Sequence, residues 1–260
     1  MASSCDLKEL HERYLDPTLF METYFGKESP FIDDTSNQIF PLMCKTFSSG
    51  VVKGELMIAM SIVPFFQWAL PACEYFTDII LSCSTEKCNS EVEKWRTNAP
   101  GAMDWTHAAK MICEIEGNGE SWIEKQITFQ KKIKQVLTYD LSKRNPFSPT
   151  VLPQADCLLL PHCLDCHMMT KEGFCSALKN ISSQLKKGGH LILILGFEGT
   201  FYMVGSCKFP HLALDEGFVK KALGDADYDI KELQLVPRQT ESLYDVTDYQ
   251  GFFYVNACKK

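Results

Sequence analysis

Five consecutive residues form the densest group of metal-binding and nucleophilic side chains in the sequence. Cys163-Leu164-Asp165-Cys166-His167 has the C-x-x-C-H spacing of covalent haem attachment, and His162 stands directly before it. Thiolates and imidazoles are also zinc ligands, and either cysteine could be a nucleophile if an oriented base lowered its pKa. The spacing leaves open a metal site, a nucleophile, or an unliganded loop at the mouth of a pocket. We expect no bound metal.

A second group of side chains is aromatic and suits a flat or cationic ligand. Its members are Phe20, Tyr24, Phe25, Phe201 and Tyr202. The face of an aromatic ring attracts cations, but aromatic residues at helical spacing also occur in hydrophobic cores. The sequence leaves both interpretations open, a ligand pocket and a core.

The stretch Gly54–Pro64 is predicted to be a buried strand followed by a turn. In nucleotide-binding α/β domains, the corresponding turn holds the ligand. Such a turn ordinarily contains glycines, because the backbone bends sharply and approaches the ligand closely. Here it contains Ser61, Ile62 and Val63 and no glycine. Two interpretations stay open, a cofactor loop of altered chemistry and a strand end filled with apolar side chains.

Three short helices are predicted before Gly54, of which the second starts at Asp16-Pro17 and the third covers about Asp33–Phe47. From Gly54 onward, strands and helices alternate. The predicted strands are Leu56–Val63, Asp78–Ser84, Ile112–Ile115, Thr138–Leu141, Ala155–Leu160, His190–Phe197, Asp229–Val236 and Phe252–Cys258. The predicted helices between them are Phe65–Glu74, Thr85–Trp95, Ser121–Leu137, Lys171–Lys187 and Asp215–Leu223. This alternation predicts one doubly wound α/β sheet with an antiparallel strand in its last pair.

The composition excludes several classes of protein. The 260 residues have a formal net charge of -7, which argues against a general binder of nucleic acid or acidic membranes. No apolar run approaches the roughly 20 residues that span a bilayer. The polar start of the chain does not resemble a signal peptide, so we expect the twelve cysteines to be reduced thiols in a cytoplasmic protein. The expected partner is a small-molecule ligand, and the oligomeric state stays open.

Short motifs spread over nearly the whole chain point to one family. They include Asp16-Pro17, Lys53-Gly54-Glu55-Leu56, Glu91-Val92-Glu93-Lys94-Trp95, Asp104-Trp105, Cys163-Leu164-Asp165, Leu185-Lys186-Lys187-Gly188-Gly189 and Tyr202-Met203-Val204-Gly205. In order and spacing they resemble the nicotinamide, phenylethanolamine and indolethylamine N-methyltransferases and the thioether S-methyltransferase. The resemblance implies one domain over residues 1–260 with a doubly wound, seven-stranded S-adenosylmethionine-dependent methyltransferase (Rossmann-like) fold. Residues 1–50 would form a helical cap and residues 51–260 the α/β core.

The resemblance also implies positions for the cofactor S-adenosylmethionine and for the methyl acceptor. The implied cofactor residues are Tyr24, Phe25, Ser61, Ile62, Cys83 and Asp140, and the implied acceptor-pocket residues are Phe20, Leu164, Leu195 and Tyr202. Asp140 matches the acid that faces the adenine amino group, and Tyr24 matches a tyrosine that closes over the cofactor.

Other cofactor positions depart from the family pattern. The family motif Asp-Ile-Gly-Ser-Gly-Pro is replaced by Ala59-Met60-Ser61-Ile62-Val63-Pro64. The family's Asp-Tyr pair, whose carboxylate holds the ribose hydroxyls, is replaced by Cys83-Ser84. A hydrogen bond to a charged group contributes about 1.5–3 kcal/mol, so this replacement alone would weaken cofactor binding by one or two orders of magnitude.

Three hypotheses about function follow. The first is a protein of this family with lost or strongly weakened S-adenosylmethionine binding that acts as a binding or structural protein. The second is an active methyltransferase of a small amine, amide or thioether, and the third is a regulatory subunit of an intact relative. A cavity shared by Tyr24, Cys83 and Asp140 would favour the second hypothesis. Side chains of Ile62 and Val63 that fill this cavity would favour the first.

Overall fold

The computed structural model describes residues 4–26, 29, 37–64, 66–239 and 245–260, with the side chains of residues 4–6 excepted. Its helices are α1 Ser4–Tyr14, α2 Pro17–Phe25, α3 Asn37–Ser48, α4 Glu86–Arg96, α5 Thr106–Ile115, α6 Trp122–Lys132, α7 Leu164–His167, α8 Lys171–Ser182 and α9 Glu216–Asp225. Its strands are β1 Gly54–Ser61, β2 Phe76–Cys83, β3 Ile133–Thr138, β4 Ala155–Pro161, β5 Leu185–Phe197, β6 Phe201–Val204, β7 Cys207–Pro210, β8 Tyr228–Pro237 and β9 Gly251–Lys259. Short 3-10 helices occupy Phe66–Ala72 and Gly119–Ser121.

Seven of the strands form one sheet in the order β3-β2-β1-β4-β5-β9-β8. Strands β1 to β5 are parallel, and β9 lies antiparallel between β5 and β8. Strand order reverses on either side of β1, which is the property of a doubly wound sheet. The predicted α/β fold with an antiparallel strand in its last pair is confirmed.

Both faces of the sheet are covered by helices. Along β1, Met57 and Ala59 belong to a core cluster with α3 to α6, whereas Ile58 and Met60 belong to a cluster with α8 and α9. Successive side chains of a strand point to opposite faces, so a strand covered on both sides is apolar at almost every position. This is why the predicted strands read as continuous apolar runs.

The N-terminal helices are fastened to the carboxyl edge of the sheet by polar contacts. Asp16 accepts hydrogen bonds from two backbone N–H groups in the first turn of α2 and pairs with Lys87 of α4 at 2.7 Å. Tyr24 of α2 donates its hydroxyl to the Met203 carbonyl of β6 at 2.9 Å. The helices therefore cover the edge at which parallel strands of this type present their ligand sites.

Three sequence predictions about elements were wrong. Ile112–Ile115, predicted as a strand, lies in α5, whose buried side is formed by Ala109, Ile112 and Cys113 at helical spacing. The helix predicted over Ser121–Leu137 ends at Lys132, and Ile133–Thr138 is the third strand in place of Thr138–Leu141. The helix predicted over Lys171–Lys187 ends at Ser182, and β5 begins at Leu185.

Two other predicted helices are only partly described. Phe65–Glu74 contains the 3-10 helix Phe66–Ala72, and Phe65 lies outside the described residues. In the third predicted N-terminal helix, residues 33–36 lie outside the described residues, and α3 begins at Asn37.

The cysteines whose side chains are described are all free thiols, and most are buried. Burial raises the pKa of Cys73 and of Cys163 to about 12, so these thiols stay protonated at neutral pH. Within the described ranges, no helix is long and apolar enough to cross a membrane.

Candidate functional site

An aromatic cavity of about 70 Å³ lies between the cap and the carboxyl edge of the sheet. Its walls include Phe20, Tyr24, Ile62, Cys166, Tyr202 and His211. The ring centroids of Phe20 and Tyr24 are 4.5 Å apart, and those of Phe20 and Tyr202 are 6.1 Å apart in an edge-on arrangement. The cavity is therefore narrow, apolar on most sides and suited to a few atoms of a flat group.

A polar cavity of about 240 Å³ lies beside α1. Its walls include Lys8, His11, Ser84, Tyr139, Asp140 and His167. Asp140 accepts hydrogen bonds from the Ser142 hydroxyl at 2.6 Å and the Lys8 ammonium at 2.9 Å. Partial burial opposes ionisation, but these bonds hold the pKa of Asp140 below its ordinary value. The cavity thus offers an ionised carboxylate as an acceptor.

The two cavities share a wall of side chains that contact one another. His11 Nε2 and the Tyr202 hydroxyl are 2.8 Å apart, with His11 facing the polar cavity and Tyr202 the aromatic one. Cys166 and His167, which follow one another in α7, face the two cavities in the same way. Burial and the neighbouring His167 hold the pKa of His11 well below its ordinary value. The wall is therefore neutral at physiological pH.

The turn after β1 is tightly packed. Ile62 and Val63 are buried, and the crevice between the carboxyl ends of β1 and β2 has a cavity volume of only about 20 Å³. That volume is close to the minimum for one water molecule. Ser84 donates its hydroxyl to the Ile62 carbonyl at 2.9 Å, which ties this turn to the end of β2.

The predicted site residues are distributed over these three spaces. Phe20, Tyr24, Phe25, Ile62 and Tyr202 meet at the aromatic cavity, Asp140 lies at the polar cavity, and Ser61 and Cys83 line the crevice. Tyr24, Cys83 and Asp140 thus line three different spaces. Cys83 is buried, and the pKa of its thiol is raised by that burial and by neighbouring cysteines.

Leu164 and Leu195, which were predicted for an acceptor pocket, do not line the aromatic cavity. Both are fully buried in the core cluster on the face of the sheet that α8 and α9 cover. In β5 the side chains alternate between faces, so Ile194 and Leu195 point in opposite directions. The cavity is lined instead by Cys166 and Gly196.

Sequence reasoning missed His211, which joins Asp165 in a polar group beside the aromatic cavity. His211 Nε2 lies 3.0 Å from Asp165 Oδ2, and His211 Nδ1 lies 3.1 Å from the Gly199 carbonyl oxygen. Burial opposes protonation of His211, but the adjacent Asp165 carboxylate raises its pKa. His211 is separated from Asp165 by 46 residues, and its only signal in the sequence is an imidazole in an apolar segment.

Solved structures with a similar fold identify the fold class of this chain. The magnesium protoporphyrin IX methyltransferase of Synechocystis PCC 6803 with bound S-adenosylmethionine has a TM-score of 0.61 at 11% identity, covering 100% of this chain and 98% of that one. The 1,6-didemethyltoxoflavin-N1-methyltransferase of Burkholderia thailandensis has a TM-score of 0.57 at 11% identity, covering 100% and 92%. The fold is that of the S-adenosylmethionine-dependent methyltransferases, as predicted.

The family follows from the sequence comparisons. The model of the NNMT/PNMT/TEMT family matches residues 5–260, and the chain belongs to this family. It is 36% identical to the indolethylamine N-methyltransferase of Oryctolagus cuniculus over 88% of both chains. It is 30% identical to the nicotinamide N-methyltransferase of Homo sapiens over 100% of this chain and 98% of the relative. The phenylethanolamine N-methyltransferase of Homo sapiens is 31% identical over 84% of this chain and 78% of the relative.

S-adenosylmethionine is the cofactor expected for this fold, and the side chains fit its two ends unequally. The polar cavity offers the Asp140 carboxylate and the Ser84 hydroxyl to an adenosine-sized group. At the crevice, Val63 is buried and Cys83 offers no charged acceptor, whereas Ile62 lines the aromatic cavity. The polar cavity therefore has room and polar groups for a group of this size, and the crevice has little free space.

Proposed function

We propose that the protein is an S-adenosylmethionine-dependent methyltransferase of a small amine, amide or thioether in the cytosol. The observation that supports this most directly is the pair of cavities beneath the cap, whose shared wall includes the hydrogen-bonded side chains of His11 and Tyr202. A methyltransferase needs a donor site next to an acceptor site, and these two cavities are neighbours. Membership of the family over residues 5–260 supports the same proposal.

At the donor end, the residues of this chain would bind and orient the cofactor. S-adenosylmethionine, when bound, supplies a methyl group on a positively charged sulfur. Asp140 is ionised and fixed by Ser142, so it offers an oriented acceptor. Ile62, Val63 and Cys83 make the remaining space smaller and less polar, and we expect weaker cofactor binding than a glycine-containing turn and a carboxylate would give.

At the acceptor end, the aromatic cavity positions a small group and excludes water. The rings of Phe20, Tyr24 and Tyr202 limit its orientation and attract positive charge. Holding an acceptor lone pair in one orientation next to the donor site accelerates transfer without any acid or base. The volume of about 70 Å³ admits only a few non-hydrogen atoms, so we expect the acceptor's reactive end to be small.

The second candidate function is ligand binding without methyl transfer. The packing of Ile62 and Val63 favours it, because these side chains fill the turn that would otherwise hold the cofactor. It is also favoured by the separation of Tyr24, Cys83 and Asp140 into three spaces. In this case the aromatic cavity would bind a flat or cationic molecule, and the crevice would remain closed.

Calorimetry with S-adenosylmethionine and S-adenosylhomocysteine, followed by a methyl-transfer assay on a panel of small amines, amides and thioethers, tests the proposal. The natural protein is compared with the variant Ser61→Gly/Val63→Gly/Cys83→Asp. A control variant, Val51→Gly/Cys258→Asp, carries matching changes away from the cavities.

Micromolar binding by the natural protein, together with transfer to one acceptor, would support the proposal. No binding by the natural protein up to millimolar concentration, with affinity restored only in the triple variant, would establish the second candidate. No binding by either protein would refute both the proposal and the role assigned to the turn.

A further inference from the structure

Three metal-binding side chains meet at the base of the aromatic cavity. A carboxylate oxygen of Asp165, the sulfur of Cys166 and a ring nitrogen of His211 all lie within 4.8 Å of one another. Asp165 and Cys166 come from α7, and His211 comes from the segment after β7. Cys166 and His211 line the cavity, so an ion held there would face it.

We propose that Asp165, Cys166 and His211 form a zinc site whose open coordination position faces the aromatic cavity. The site is independent of the S-adenosylmethionine proposal. It differs from the motif Cys163-x-x-Cys166-His167 suggested by the spacing in the sequence. In the structure His167 Nδ1 donates to the Cys163 carbonyl, and His167 faces the polar cavity.

The orientation of His211 suits a metal ligand. Its Nδ1 is 3.1 Å from the Gly199 carbonyl oxygen, which can only accept a hydrogen bond, so Nδ1 carries a proton. Nε2 lies 3.0 Å from Asp165 Oδ2 and would give up the proton of this hydrogen bond to bind the ion. Histidines that bind metals usually donate their other ring N–H to a carbonyl or carboxylate, which fixes the ring and the tautomer.

The backbone leaves room for this imidazole at one glycine. A Cβ added at Gly196 would lie 2.7 Å from His211 Cε1 and 3.0 Å from Nε2. The ring can therefore approach Asp165 only because residue 196 has no side chain. The Gly196 N–H also donates to Asp165 Oδ2 at 2.7 Å and holds the carboxylate in place.

The second carboxylate oxygen of Asp165 is an independent argument for a bound cation. Asp165 is fully buried, and its Oδ1 has no hydrogen-bond partner among the residues that the structure describes. A buried carboxylate oxygen without a partner is costly, and such groups are rare in folded proteins. A cation bound by the Asp165 carboxylate would supply this oxygen with a positive partner.

The donor set favours zinc over calcium or magnesium. Sulfur, nitrogen and oxygen donors together match a borderline-soft ion, whereas hard cations prefer oxygen alone. A thiolate, a carboxylate and a neutral imidazole sum to two negative charges, which Zn²⁺ neutralises in buried surroundings. Three protein ligands and one exchangeable position are the arrangement of zinc sites that bind a further ligand. That ligand would present a thiol, or a neutral nitrogen of a flat heteroaromatic ring.

Zinc titration of the chelator-stripped full-length protein, in competition with a chromogenic chelator, tests the site. We expect one-to-one binding with a submicromolar dissociation constant. Substitution with Co²⁺ gives an independent readout, because a cobalt–thiolate bond produces a charge-transfer absorption band. This band requires Cys166 and should be absent from Cys166→Ser.

Variants separate the proposed site from other thiols and histidines. Cys166→Ser and His211→Gln should each weaken zinc binding by more than the roughly 10- to 100-fold that loss of an outer partner causes. Cys163→Ser, another fully buried thiol, should bind zinc as the natural protein does. Gly196→Ala should weaken binding by displacing the His211 ring, whereas Gly224→Ala, where an added Cβ meets no atom within 4 Å, should not.

Dissociation constants of the natural protein above the micromolar range would overturn the proposal. Equal losses in Cys163→Ser and Cys166→Ser would overturn it too, because binding would then follow the sequence motif. Should the ligand variants fail to fold, the cobalt spectrum of the natural protein decides. A spectrum without the thiolate band would refute the site.

Discussion

Replacement of Tyr24 by phenylalanine should destabilise the protein without removing its ligand contacts. The Tyr24 hydroxyl donates to the Met203 carbonyl at 2.9 Å and accepts from the Met203 N–H at 3.2 Å. The Met203 N–H keeps a second acceptor, the Val246 carbonyl, at 2.8 Å. The variant therefore loses mainly one buried hydrogen bond and leaves the Met203 carbonyl poorly satisfied, at a cost of about 1–2 kcal/mol. For a chain of this length, the loss corresponds to a decrease in Tm of about 2–8 °C.

Thermal unfolding and calorimetry, applied to the same samples, test this reasoning. Tyr228→Phe is the matched control, because the Tyr228 hydroxyl is buried against Ser182 at 2.7 Å, away from both cavities. Both variants should lose similar stability, and neither should change S-adenosylmethionine affinity more than a few-fold. An unchanged Tm for Tyr24→Phe, together with a large loss of cofactor affinity, would refute the reasoning. The hydroxyl would then act on the ligand and not on the attachment of the cap.

Three further predictions concern charged and titratable groups. Burial keeps the pKa of His11 well below its ordinary 6.5 in the folded protein. The unfolded chain therefore binds more protons than the folded one, and the stability should fall as the pH decreases below about 6.5. His11→Gln should flatten this decrease in Tm between about pH 7.5 and 5.5. The buried side chain of Lys125 contacts Glu116 at 2.6 Å. Lys125→Met should lower the free energy of unfolding, measured with urea, by up to about 3 kcal/mol, because the half-buried Glu116 carboxylate loses its partner. Lys8→Met should change stability by less than about 1 kcal/mol, since its pair with Asp140 is exposed, but it should alter adenosine binding measured by calorimetry.

Each of these predictions has an outcome that contradicts it. Equal pH slopes for the natural protein and His11→Gln would show that His11 does not contribute. Lys125→Met with unchanged unfolding would show that solvent already screens Glu116. A large stability loss in Lys8→Met would contradict the small energy assigned to this exposed pair.

The sheet could be predicted from the sequence because its strands are buried on both faces. Continuous apolar runs such as Ala155–Leu160 and His190–Phe197 identify strands from their own residues alone. The neighbouring strands need not be known. Ile133–Thr138 was missed because its residues continue the helical spacing of α6. Its identity as a strand depends on pairing with β2, from which the Ser82 hydroxyl donates to the Leu137 carbonyl. Such long-range pairing is not visible in a local pattern.

The candidate site was only partly predictable for a related reason. The aromatic residues Phe20, Tyr24 and Tyr202 follow from the motifs, and they do meet. The division into three spaces depends on how Ile62 and its neighbours pack, which residue types alone do not determine. His211 is 46 residues away from Asp165 in the sequence. The two side chains can meet because Gly196 has no side chain that would clash with the His211 ring.

The buried thiols have a consequence for how motions of this protein can be followed. The thiolate is the reactive form of cysteine, and burial keeps Cys83, Cys88 and Cys157 protonated and covered. An alkylating reagent can reach each of them only when its own part of the molecule opens. Cys83 is in β2, Cys88 in α4 and Cys157 in β4. Modification rates resolved by peptide mass spectrometry would therefore give the free energy of opening for each element, without any introduced label.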